Sequence, residues 1–198
     1  MIEEIKKGKK KMTMRIAKFM ARSGVCSRRE AEELIAQGRV TIDGEVVESP
    51  AVNVTGDEKI LLDGEKLPKK QDTRLWLYHK PAGLVTTHKD EKNRPTVFDN
   101  LPPNMPRVIS VGRLDLNSEG LLLLTNDGEL SRYIELPSNS WVRRYKVRVF
   151  GNVDENKLKN LQNGIVADGV EYGPIKAVVE SKQGANTWLT VSLSDLKY

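Results

Sequence analysis

The stretch Val111-Gly112-Arg113-Leu114-Asp115-Leu116-Asn117-Ser118-Glu119-Gly120-Leu121-Leu122-Leu123-Leu124-Thr125-Asn126-Asp127-Gly128 sets a short polar loop between two apolar segments. Val108-Ile109-Ser110-Val111 has the length and β-branched character of a strand, and Leu121 to Leu124 is an unbroken aliphatic run that suits a strand buried on both faces. Arg113 and Asp115 therefore sit two residues apart on a loop at the edge of a sheet. A carboxylate held there can attack a carbon centre, and the neighbouring guanidinium can hold a phosphate or fill the place of a displaced base. Pattern alone leaves a bland alternative open, in which Asp115 only turns or caps the chain.

Reading outward, Trp76-Leu77-Tyr78 upstream is a strand candidate. Downstream, Tyr145, Val147 and Val149 alternate with Arg144, Lys146 and Arg148, which predicts a strand with one buried and one basic face. Asp154 can cap a helix presenting Leu158 and Leu161, with Gly164 ending it. Asp168-Gly169 marks a hairpin, and Ile175 to Val179 and Trp188 to Val191 add strands. Strands outnumber helices and most connections are turns, so the expected fold is α+β around a mixed, largely antiparallel sheet.

The N-terminal quarter reads differently. From Met14 to Met20 the apolar residues Ile16, Phe19 and Met20 share one helical face, while Arg15, Lys18 and Arg22 recur on another as a basic stripe. Ser23-Gly24 breaks this helix. Ser27 followed three residues later by Glu30 is a capping-box pattern that starts a second helix, with Ala31, Leu34 and Ile35 turned inward and Gly38 at its end. Arg28 and Arg29 occupy its first turn, where free backbone N–H groups also attract anions. Val40-Thr41-Ile42 and Glu45-Val46-Val47 flank the hairpin turn Asp43-Gly44, and Ile60-Leu61-Leu62 leads into Asp63-Gly64. Leu67 to Asp72 is polar, carries Pro68 and reads as a linker.

Charge follows the same division. The 198 residues carry a net +5, yet residues 1–39 hold 11 Lys and Arg against 5 Asp and Glu, a net +6, which leaves −1 for everything after. Charge focused at one end is the electrostatic footprint of a polyanion partner. The Lys-rich residues 1–13 are expected to be a basic flexible tail, with no apolar stretch behind them of signal-peptide length. With four residues as its longest aliphatic run, the chain has no expected membrane span. Cys26 is the only cysteine, so no intrachain disulfide can form and a reducing cytoplasm is the expected setting. One Cys and two His make a Cys/His zinc site improbable; there is no Walker loop, no dinucleotide fingerprint, and no serine elbow beside His79 or His88.

Two resemblances tie these readings together. Arg15, the Ser27 to Glu30 stretch S-R-R-E, and R-V-T-I-D-G from Arg39 to Gly44 resemble the small RNA-binding domain first described in a ribosomal small-subunit protein, over residues 14–66. That resemblance implies that Arg15, Lys18, Arg22, Arg28, Arg29 and Arg39 face RNA backbone. The segment G-R-L-D-L-N-S-E-G-L-L-L-L-T-N-D-G from Gly112 resembles the signature of the ribosomal branch of the pseudouridine synthases, and its details are most like the large-subunit enzymes of the B type. Tyr78-His79-Lys80-Pro81-Ala82-Gly83 looks like that family's K-P-x-G motif, and Arg144-Tyr145-Lys146-Val147 looks like its tyrosine-bearing strand.

The family resemblance implies that residues 74–198 form the catalytic domain, after a linker at 67–73, and that Asp115 is the nucleophile. It makes Tyr145 the residue that packs on the target uracil and helps move the proton from carbon 5, and gives Arg113 a part in placing RNA or extruding the base. The implied reaction is isomerisation of uridine to pseudouridine in ribosomal RNA or an assembling subunit, with large-subunit RNA ahead of small-subunit RNA. No cofactor, metal or membrane is implied, and a monomer is expected. After Trp188-Leu189-Thr190-Val191-Ser192-Leu193 the family ordinarily runs into a motif resembling E-G-K-N-R-E-I-R, where this chain reads Ser194-Asp195-Leu196-Lys197-Tyr198. A C-terminally incomplete catalytic domain is therefore expected, and two alternatives stand: the chain is a member of an active family, either as a fragment or with Arg143 or Lys146 in place of the missing basic partner, or it keeps RNA affinity without turnover.

Overall fold

The computed structural model describes residues 13–69 and 71–194, so the expected N-terminal tail lies outside it except for Thr13. The chain divides into two compact units, one running to Ser131 and one beginning at Arg132.

The first unit opens with β1 (Met14–Arg15), α1 (Ile16–Arg22) and α2 (Arg28–Ala36), followed by β2 (Val40–Ile42), β3 (Glu45–Val46), β4 (Asn53–Val54), β5 (Ile60–Leu62) and β6 (Glu65–Lys66). The capping box forms as its spacing predicts: the Glu30 backbone N–H donates to Ser27 Oγ at 3.1 Å, and the Ser27 N–H donates to Glu30 Oε2 at 2.5 Å. Both Asp-Gly turns adopt positive φ at each central residue, 52° and 96° at Asp43-Gly44 and 52° and 81° at Asp63-Gly64. That backbone matches the right-handed twist of the paired strands and closes the hairpins β2-β3 and β5-β6, which pair through β2 and β5 in the order β3-β2-β5-β6, antiparallel throughout. Ile16, Met20, Ala31 and Ile35 from the helices close on Val40, Val54 and Ile60 from the strands, all at most a few per cent exposed.

Three further strands complete this unit: β7 (Leu75–Lys80), β8 (Ile109–Val111) and β9 (Gly120–Thr125), in the antiparallel order β7-β9-β8. Leu122 and Leu124 of β9 are buried among Leu84, Val97 and Val108, with Trp76 and Tyr78 packed alongside. The expectation that this strand is buried on both faces is corrected: Leu121 is 65% exposed and Leu77 of the neighbouring strand 76%. An antiparallel sheet needs cover on one face only, and four leucines in a row mask the alternation that would have shown it.

Helix α3 (Gly128–Glu135) runs through the division between the units. The second unit then holds β10 (Arg143–Phe150), α4 (Glu155–Asn160), β11 (Ile165–Ala167), β12 (Val170–Tyr172), β13 (Ile175–Gln183) and β14 (Asn186–Leu193). The long strands pair antiparallel in the order β10-β14-β13. Asp154 caps α4 through its side chain, as its position predicts. Every ladder among the described residues is antiparallel; the isolated bridge Val85 to Thr96 is parallel.

Candidate active site

The loop from Gly112 to Glu119 joins β8 to β9, and what shapes it is a lysine at the end of β7. Lys80 is fully buried. Its ammonium donates to the carbonyl oxygens of Ser118 at 2.8 Å, Asp115 at 3.0 Å and Pro81 at 3.1 Å, with that of Leu116 at 3.5 Å. A buried cation is costly unless it is fully hydrogen-bonded, and here carbonyl dipoles do that work. Burial pushes the Lys80 ammonium below its usual range, and the nearby Asp115 carboxylate works in the opposite direction.

The rest of the Lys80 to Thr86 segment holds the same loop. Gly83, at φ +90°, donates its N–H to Leu116 O at 2.7 Å, and Thr86 Oγ1 donates to Leu114 O at 2.8 Å. The Ser118 N–H closes a turn on Asp115 O at 3.1 Å. Backbone atoms on both sides of Asp115 are thus fastened to β7 and the turn after it, while the Asp115 side chain stays exposed. Among the described residues of the first unit its carboxylate has no ion-pair partner, and Arg113, two residues earlier, is exposed as well. A fixed backbone with an exposed functional group is an arrangement that a nucleophile can use. His79 is exposed one residue before Lys80, consistent with the alternation of β7.

Tyr145 belongs to the second unit, so Asp115 and Tyr145 are each described in their own. It is half-buried on β10, opposite Val191 of β14, on the same face as Val147 and Val149. Of the two basic residues considered as stand-in partners for the aspartate, Arg143 donates to Ser194 O at 3.3 Å and Lys146 pairs with Glu180 at 3.0 Å.

The predicted RNA-facing residues divide into two groups. Arg15, Arg28 and Arg29 are exposed and form no ion pair among the described residues. Lys18 pairs with Glu129 at 2.6 Å, and Arg22 lies 3.4 Å from Glu129 and 4.0 Å from Asp127. Arg39 makes a two-pronged contact with Asp63, Nε to Oδ1 at 2.8 Å and Nη2 to Oδ2 at 2.5 Å. The basic stripe of α1 therefore ends in a fastening to the start of α3, a use that spacing along one helix cannot reveal. Arg107 makes a similar tie to Glu30 of α2, at 3.3 Å.

Comparison with known proteins extends this picture. A family model described as RNA pseudouridylate synthase matches residues 74–195, and one described as S4 domain matches residues 14–60. An RNA pseudouridine synthase of Rickettsia bellii is 49% identical over 183 residues, covering 92% of this chain and 79% of its own length. A ribosomal large subunit pseudouridine synthase B of Yersinia pestis is 43% identical over 193 residues, which are 93% of this chain and 60% of that protein. A crystal structure of a pseudouridylate synthase superposes with a TM-score of 0.59 at 28% identity, over 93% of this chain and 79% of the other.

Proposed function

Since the chain belongs to the RNA pseudouridylate synthase family and carries an S4 domain ahead of the synthase domain, we propose that it converts a uridine of ribosomal RNA, in the large subunit, to pseudouridine with Asp115 as nucleophile. The observation that carries the assignment of Asp115 is its setting: an exposed carboxylate on a loop whose backbone is tied to the buried Lys80 ammonium. The ribosomal target is supported by the 43% identical Yersinia pestis relative, whose name specifies the large ribosomal subunit.

In the reaction the bond from uracil nitrogen 1 to ribose carbon 1′ breaks, the base turns, and carbon 5 bonds to carbon 1′. The proton on carbon 5 leaves and nitrogen 1 ends protonated, so nothing is consumed. The Asp115 carboxylate takes up the electrophilic carbon transiently, and both attack on the ribose and attack on ring carbon 6 release the same carbon 5 proton. Tyr145 packs on the uracil and assists that proton's departure. A paired base is out of reach, so the target uridine is extruded or lies in a loop, at a cost of a few kcal/mol that stacking offsets in part. Arg113 holds backbone phosphate or the vacated base position. Arg15, Arg28 and Arg29 carry the free charge of the N-terminal domain towards RNA, with Lys18, Arg22 and Arg39 beside them already paired to carboxylates.

The experiment is single-turnover release of tritium from carbon 5 of labelled uridine in ribosomal RNA lacking the modification. Asp115→Asn is expected to abolish release while RNA affinity survives; release that persists in Asp115→Asn removes the role.

A further inference from the structure

On the face of the second unit's sheet opposite Tyr145, cations recur on the outer strands. β10 presents Arg144, Lys146 and Arg148, each two residues from the next and so roughly 6.8 Å apart. β13 presents Lys176, and the register sets Arg144 and Lys176 on either side of Ser192, two strand spacings or roughly 10 Å apart. Between them lies an open trough of about 410 Å³, with Ser192 and Thr190 lining it and the apolar Val142 and Val178 beside them. Further along β14, Trp188 is flanked by two cations, with Lys146 Nζ 5.4 Å and Arg148 Cζ 5.8 Å from its ring centre. Phe150 ends the row at 86% exposed. The carboxylate on this face, Glu180, is already satisfied by Lys146 at 3.0 Å and by the Thr190 hydroxyl.

We propose that this face is a second nucleic-acid surface, which takes an unpaired RNA strand with a phosphate between Arg144 and Lys176 and bases against Val178 and Phe150. The chemistry selects the occupant. Three cations, Arg144, Arg148 and Lys176, remain once Lys146 and Glu180 offset one another and ask for a polyanion, and the exposed aromatic and aliphatic side chains beside them ask for one that offers flat apolar faces as well. A duplex hides its base faces and an acidic polypeptide has none. The inference rests on the RNA-modifying reading, but its test reads binding and needs no turnover.

The test uses the full chain with a fluorescein-labelled 12-nucleotide oligouridylate, a blunt RNA duplex of equal length, and polyglutamate. For Arg144→Gln with Lys176→Gln, the oligouridylate Kd is expected to rise about tenfold and the slope of log K against log salt to become shallower by about 1.4, two single-strand contacts at about 0.7 each. Phe150→Ala, at an exposed position that leaves the fold alone, is expected to weaken oligouridylate roughly fivefold or more with the salt slope unchanged, since it removes stacking and no charge. Unaltered affinity in both variants overturns the proposal. So does an equal loss of polyglutamate binding, which would make the face a generic anion surface, and so does a duplex that loses as much affinity as the single strand in these variants. Abolished turnover in Asp115→Asn with these binding effects intact separates this surface from the catalytic assignment.

Discussion

The N-terminal module and the second unit are of similar length and differ in how they find their cores. Over residues 14–67 eleven apolar side chains are buried, because two helices lie over a four-stranded sheet built from two hairpins with two-residue turns. In the second unit Leu189 is the one buried apolar residue among the described residues, joined by Thr187. Its strands are longer, up to nine residues, and better paired, yet a three-stranded sheet exposes two faces, and among the described residues the helical segments packed on it, α4 and the turn at Leu161–Asn163, are short. Extent of hydrogen bonding and extent of burial are therefore separate quantities, and the truncation of a side chain reports on the second.

The largest expected effect sharpens that contrast. Ile16→Ala should cost about 2–5 kcal/mol, since its side chain is wholly buried, whereas Val147→Ala on half-buried β10 should cost about 1 kcal/mol or less. Urea unfolding of the two variants checks it, and equal costs would break the comparison. Lys80→Met comes next. It keeps much of the volume but leaves several carbonyls unbonded, for about 1–3 kcal/mol in the same experiment. Turnover should fall further than RNA affinity, because the loop bearing Asp115 loses its anchor; a variant with unchanged kcat would show that the loop holds its shape alone. Ser27→Ala removes one half of the capping box and should cost about 1 kcal/mol, seen as a lowered Tm.

The smallest effect is a pH limb. The backbone N–H of Thr55, foremost, with those of Glu58 and Gly56 and the Thr55 hydroxyl, holds the Glu58 carboxyl down to about 2 from an ordinary 4.5. A carboxylate with a depressed folded pKa contributes stability above its unfolded value, and that contribution is lost as pH falls towards the folded one. Wild-type stability should thus decline between about 4.5 and about 2, and Glu58→Gln should decline less. Unfolding midpoints across that interval that stay parallel for the two proteins would exclude the contribution.

Much of the architecture was legible from residue pattern. The capping box at Ser27, the Asp-Gly hairpins, the Asp154 cap and the alternation along β10 are local signals, each complete within a few residues. What escaped is whatever depends on residues far apart in sequence. Lys80 reads as part of a motif that follows the strand candidate Trp76 to Tyr78, and nothing near it tells that it reaches carbonyls 35 to 38 residues away. Lys18 and Arg22 form a surface stripe by spacing, and their partners lie more than a hundred residues on. The exposed flank of β9 was hidden for the opposite reason, since four identical residues carry no alternation to read.

The outer position of β10 in its sheet has a consequence for concentrated solutions. An outer strand offers unpaired backbone donors and acceptors to any extended chain, including a second copy of itself. β10 carries Arg144, Lys146 and Arg148 at every other position, so a copy laid edge to edge would bring rows of like charge side by side. Repulsion between alternate residues opposes such pairing, and replacing those three side chains with threonine would remove that opposition.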